Sequence, residues 1–148
     1  MIPQDGIELP GTVRQNLSLF GIGSENEDMK RARARVGLWK TLDKRGGLSG
    51  ELSDVGLSGG QKQLFSLARA LVSPAAKRKS GIVLLDEPDS SVDKKTEAEM
   101  RRIVADEFAA FTTITLSGQV IGSDSVLPVF IRTNEGKKQL KYSGKRFP

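Results

Sequence analysis

Residues 81–88 read GIVLLDEP, and they leave this chain few folds to choose from. Ile82 to Leu85 form an apolar run of β-prone residues, bounded by Gly81 and by Asp86, Glu87 and Pro88. A run that short is a strand, and an unbroken one predicts burial on both faces, as in a parallel sheet. A helical pattern follows from about Asp93 to Phe108, with Met100, Ile103, Val104 and Phe108 on the core side. TTITLS, residues 112–117, then reads as a second strand. Strand, helix and strand in that order predict a βαβ unit and place the chain among α/β folds.

The preceding sequence is helical. IPQDGIELPGTVRQNLSLFG begins as a loop, because Pro3 and Pro10 interrupt regular structure, and Thr12 can cap a short helix to Leu17. SENEDMKRARARVGL predicts a helix capped by Ser24, with Met29, Ala32 and Val36 as a thin apolar stripe. LWKTLDKRGGLSGELSDVG reads as a short helix and a glycine-rich loop. Leu64, Leu67, Ala68, Leu71 and Val72 then share one face of a stronger helix that ends near Ser73, before Pro74. Beyond Ser117 the pattern changes: VLPVFIRT and KQLKY around NEGK suggest a hairpin in which Pro128 needs a strand-edge position. No chemistry is evident in that tail.

Composition excludes several function classes. With no cysteine and no histidine in 148 residues, disulfides, Cys/His metal sites and the commonest general base are absent. The net charge is +5, but the bases in KRARAR, AAKRKS and GKKQLKYSGKR alternate with other residues on expected solvent faces. No aromatic pattern accompanies them, so no nucleic acid partner is expected. IVLL is the longest apolar run, too short to cross a bilayer, and MIPQDGIELPG lacks the features of a signal peptide.

Two stretches carry chemistry. In LSGGQ, Ser58 can cap the following helix, while Gly59 and Gly60 let an anion approach the free N–H groups of its first turn. A capped helix with no ligand accounts for the pentapeptide equally well. In IVLLDEP, Asp86 and Glu87 fall at the carboxyl end of a strand, where ligands bind in open α/β sheets. Asp86 suits Mg2+, and Glu87 can orient or deprotonate a water. Taken alone, two solvated acids at a strand end are at least as good an account.

Order and spacing add more. IPQD, LSGGQKQ, IVLLDEP and SSVD follow one another as do the Q-loop, signature, Walker B and D-loop of ATP-binding cassette (ABC) proteins. The chain resembles the C-terminal half of an ABC nucleotide-binding domain over residues 2–117. PGTVRQNL, GLSGGQKQLFSLARAL and RRIVADEF are similar to the second cassette of C-subfamily, multidrug-resistance-associated exporters. The resemblance implies a partial P-loop NTPase fold, with a helical signature subdomain and a truncated, mainly parallel core sheet. It implies ATP and Mg2+ as cofactors. Ser58, Gly59, Gly60 and Gln61 would contact the γ-phosphate of ATP bound to a second nucleotide-binding domain. Asp86 would support Mg2+ and Glu87 would be the catalytic base. Gln4 would sense phosphate and metal and couple to transmembrane domains, and Asp93 would lie at the dimer interface. The implied place is the cytoplasmic face of a membrane, reached through the parent transporter.

Three departures accompany the resemblance. No G-x-x-x-x-G-K-[ST] pattern occurs. Gly118 and Gln119 stand where the family has its switch histidine and usually an arginine. Residues 118–148 depart from the family pattern and are read as a divergent tail of unknown role. The expectation is therefore a fragment from a truncated or misassembled gene product, inactive alone, with exposed sheet edges. Two alternatives stand beside an exporter ATPase: a non-catalytic module that completes a partner's ATP site, and a soluble ABC ATPase of translation-factor type.

Overall fold

The computed structural model describes residues 2, 6–19, 26–86, 93–116, 127–133 and 136–142, with the backbone alone at residues 86, 116, 127–133 and 136–142. A layer of short helices comes first: α1 (Val13–Leu17), α2 (Asn26–Arg35), α3 (Trp39–Asp43) and α4 (Leu52–Val55). The long helix α5 (Gly59–Val72) joins that layer to β1 (Ile82–Asp86), α6 (Lys94–Glu107) and β2 (Thr112–Leu116). A hairpin, β3 (Leu127–Thr133) and β4 (Gly136–Tyr142), ends the described chain.

The expected βαβ unit is present. β1 and β2 pair in parallel, with Ile82 opposite Thr112 and Asp86 opposite Leu116. Ile2 adds a parallel bridge to Leu85 on the outer side of β1. The hairpin extends the same sheet through antiparallel ladders, in the order β1-β2-β3-β4. Pro128 pairs only with Lys141, and the β2 ladder begins at Val129, so the missing N–H of proline interrupts no ladder to β2.

Burial of β1 differs from expectation. Val83 is buried beneath the helices, but Ile82 is 68% and Leu84 38% exposed. Alternate residues of a strand face opposite sides, and among the described residues Val83 and Leu85 join the core shared with α5 and α6 while Ile82 and Leu84 do not. On α6, Ile103, Val104 and Phe108 are buried and Met100 is partly so, as the helical period predicts. Phe108 meets Phe111 edge to face at 5.3 Å between ring centroids.

α5 is the central element, packed against α1, α2 and α6. Three neighbours cover more than one stripe, so Phe65, Gln63 and Ser66 are buried alongside Leu67, Ala68 and Val72, whereas Leu64 and Leu71 are only partly buried. α2 buries Met29, Ala32 and Val36 as expected, and Arg33 as well. That arginine contradicts a solvent-facing KRARAR. Its guanidinium lies 3.8 Å from the centroid of the Trp39 ring, and burial lowers its pKa, opposed by nearby Asp43. Arg35, two residues on, turns instead to α6, with Nε donating to Glu107 at 2.8 Å and Nη2 to Asp106 at 2.6 Å.

Candidate functional site

The first turn of α5 is built by local chemistry. Gly56 closes α4 with φ +66, a conformation that carries little strain only without a Cβ, and the chain then reverses through Leu57 into Ser58. Ser58 is extended and caps α5, its Oγ accepting from the Gln61 N–H at 3.3 Å. Gln61 returns the contact, its Oε1 accepting from the Ser58 N–H at 3.0 Å. This reciprocal capping box leaves the N–H groups of Gly59 and Gly60 without partners inside the helix. A Cβ built on Gly59 would find no atom within 4 Å, so open space lies before that turn. No acidic residue stands in the turn to repel an anion. Such a turn is suited to an anion, because it offers free N–H groups and the positive end of a helix of 14 residues. The Gln61 side chain serves the cap.

A strap of chain, residues 6–9, lies against this helix. The Ile2 N–H donates to the Leu84 carbonyl at 2.9 Å, one residue from the end region of β1. Gly6 then lies directly on α5: a Cβ there would come within 2.4 Å of the Lys62 Cβ and 2.5 Å of its carbonyl carbon. Glu8 pairs with Lys62 at 2.9 Å. Arg69 donates from Nη2 to the Ile7 carbonyl at 3.0 Å and from Nε to the Asn16 carbonyl at 2.7 Å. Asn16, 1% exposed, holds Leu9 through both of its backbone groups. Residues 6–9 are thereby laid along α5 from its first turn towards its third.

The second candidate centre is the end of β1. The parallel ladder carries Asp86 to the carboxyl edge of the sheet beside Leu116. Only its backbone is described, while Glu87, Gln4, Ser90, Ser91, Gly118 and Gln119 lie outside the described residues. Among the described residues no hydrogen bond or ion pair joins the first turn of α5 to the end of β1. No acidic cluster able to hold a metal occurs among the described residues either. Asp93 is the cap of α6, with Oδ1 accepting from the Lys95 and Thr96 N–H groups at 3.1 and 3.0 Å and Oδ2 from the Thr96 hydroxyl at 2.7 Å. The Thr96 hydroxyl, then the Thr96 N–H, holds its carboxyl below the usual carboxylate range.

Sequence reading missed Glu8, Lys62 and Arg69, the residues that tie the strap to α5. Their partners are backbone carbonyls or lie tens of positions away, so no local pattern marks them. The KQ following LSGG was the one visible hint, since Lys62 falls on the face that receives Gly6.

Comparison with known proteins follows the same features. The sequence profile of the family described as ABC transporter matches residues 1–90. ABC transporter ecdL of Aspergillus rugulosus is 38% identical over 117 residues, 79% of this chain and 8% of that protein. ABC multidrug transporter B of Aspergillus fumigatus is 33% identical over 116 residues, 78% of this chain and 8% of that protein. ATP-binding cassette sub-family C member 10 of Mus musculus is 36% identical over 132 residues, 86% of this chain and 8% of that protein. Among solved structures, a bacterial Atm1-family ABC exporter with ATP bound superposes with a TM-score of 0.60 at 25% identity, over 77% of this chain and 20% of that one. The chain thus spans a small part of the length of the relatives it matches.

Proposed function

This chain belongs to the ABC transporter family, and on that premise we propose that it is part of the ATP-hydrolysing domain of an exporter. Its working surface is the first turn of α5, which reaches a nucleotide held by a second such domain. The observation that carries this reading is the open space before Gly59, ahead of a turn whose side chains are already committed to its own cap. Gly59 and Gly60 offer their N–H groups, and the Ser58 hydroxyl is free to donate while its lone pair serves the cap. ATP supplies the phosphoryl group, and Mg2+ neutralises its charge when both are bound. Asp86 would support Mg2+, Glu87 would take the proton of the attacking water, and Gln4 would sense phosphate and metal. Kinship with a sub-family C protein supports the second cassette of a C-subfamily exporter. The proposed partners are that second nucleotide-binding domain and transmembrane domains, at the cytoplasmic face of a membrane.

One sequence feature favours a second reading for the chain on its own. Its 148 residues hold no P-loop pattern, so nothing here cradles the β- and γ-phosphates around Asp86. The chain would then complete a partner's ATP site without turning over its own. Both readings are tested by mixing it with a cassette that has an intact P-loop and a glutamine in place of its catalytic glutamate. An ATP-dependent complex in size-exclusion chromatography, lost in Ser58→Arg, is expected; no complex at saturating ATP would refute the signature-face assignment. Calorimetry with Mg-ATP should show weak binding or none for the chain alone, and micromolar affinity would eliminate the second reading.

A further inference from the structure

A groove of about 450 Å3 lies between the strap, the end of α5 and the start of β1. That volume lies in the range of small-molecule sites. Its wall is mainly aliphatic and aromatic, with Ile7, Leu17, Leu19, Ile82, Phe108 and Phe111 contributing. Ile7 and Leu19 stay 54% and 39% exposed there, so an apolar guest would gain burial.

Two polar groups on one face of α5 interrupt this wall. Ser66 is 3% exposed, and its buried Oγ has no hydrogen-bond partner among the described residues. A helical serine ordinarily bonds to the carbonyl four residues back; this one does not, so a donor is left unused. Arg69, three residues later, falls on the same side of the helix and also lines the groove. Its Nε and Nη2 go to two neutral carbonyls, and among the described residues its Nη1 makes no hydrogen bond and no carboxylate pairs with it. Half-burial without a counter-charge lowers its pKa. A half-buried cation and a buried hydroxyl, at one side of an apolar groove, are complementary to one kind of molecule.

We infer that this groove binds an amphipathic monocarboxylate, with its carboxylate on Ser66 Oγ and Arg69 Nη1 and its hydrocarbon along Ile7, Leu19 and Ile82. The carboxylate accepts from both donors and gives Arg69 the counter-ion it lacks, while the chain covers the exposed aliphatic residues. The site is separate from the first turn of α5, and the inference does not depend on how that turn is used.

The test is isothermal calorimetry on the full chain with decanoate, below its micelle concentration, and with decan-1-ol. Decanoate should bind about ten-fold more tightly than the alcohol, because a bond to a charged group exceeds a neutral one. Ser66→Ala removes one donor and should weaken decanoate binding about three- to ten-fold. Arg69→Met should abolish the preference for acid over alcohol. Because Arg69 also anchors the strap, Ala70→Phe serves as an independent block, with decanoate binding lost and the circular dichroism of the helices unchanged. Equal affinity for acid and alcohol, or decanoate binding indifferent to Ser66→Ala and Ala70→Phe, would overturn the inference, as would no heat of binding for decanoate.

Discussion

Leu17, Leu42, Leu52 and Leu67 of the helical layer are at most 1% exposed, whereas Ile82 and Leu84 of β1 are 68% and 38% exposed. The residues are of one chemical kind, so the difference lies in how the two regions obtain cover. Each short helix buries one stripe, and α5, well along the chain from α1 and α2, supplies the opposing surface for both. A parallel strand has two faces to cover, and the helices next to β1 in the chain, α5 and α6, share a core with one of them. In this molecule α5 and α6 cover one face of β1. Among the described residues the helical layer therefore has a closed core, and β1 a half-covered one.

Single substitutions can break that contrast. Phe65→Ala removes a side chain 1% exposed at the centre of the helical layer, and should cost about 3–5 kcal/mol in urea unfolding. Ile82→Ala, at the uncovered face, should cost no more than about 0.5 kcal/mol. Equal losses at the two positions would show that the sheet face is covered in solution. Ser58→Ala tests the turn that links the layer to its proposed ligand. Losing the cap should cost about 1 kcal/mol by the same measurement, and Ser58→Asn, which can still cap, should restore most of it.

The smallest effect is expected at the start of α6. Asp93 is exposed, and hydrogen bonds from Thr96 and Lys95 depress its carboxyl. A depressed pKa means that the unfolded chain binds the proton more readily. The contribution is thus fully present above the ordinary carboxylate range and disappears as pH falls through the depressed value. An acid titration of helical circular dichroism should show this component in the wild type and lack it in Asp93→Asn. Identical acid profiles would remove Asp93 from the account of α6.

Much of this was legible from the sequence where one segment suffices. Thr12 and Ser58 are caps because each is followed three residues later by a glutamine that closes the box, a relation contained within four positions. Parallel pairing of β1 and β2 followed from strand, helix and strand in succession. The pairing of β3 with β4 was legible too, because NEGK separates two β-prone runs, although Gly136 and Lys137 of that stretch pair within β4. Arg33 was misread because alternating Arg and Ala looks solvated, and only the Trp39 ring and the fold of α3 against α2 bring it inside. Ser66 and Arg69 looked like ordinary positions on an amphipathic helix.

The sequence alone determined the chemistry that can be written within a few neighbouring residues: the capped, glycine-opened start of α5, the acidic end of β1, and membership of the ABC transporter family that these motifs announce. Tertiary structure decided what depends on distant partners. It laid residues 6–9 along α5 through Lys62 and Arg69, turned Arg33 inward and Arg35 towards α6, and left Ile82 and Leu84 of β1 exposed. The physical reason is range. Caps and periodicity act over one or two helical turns, whereas burial and counter-charge are set by whichever segment packs alongside.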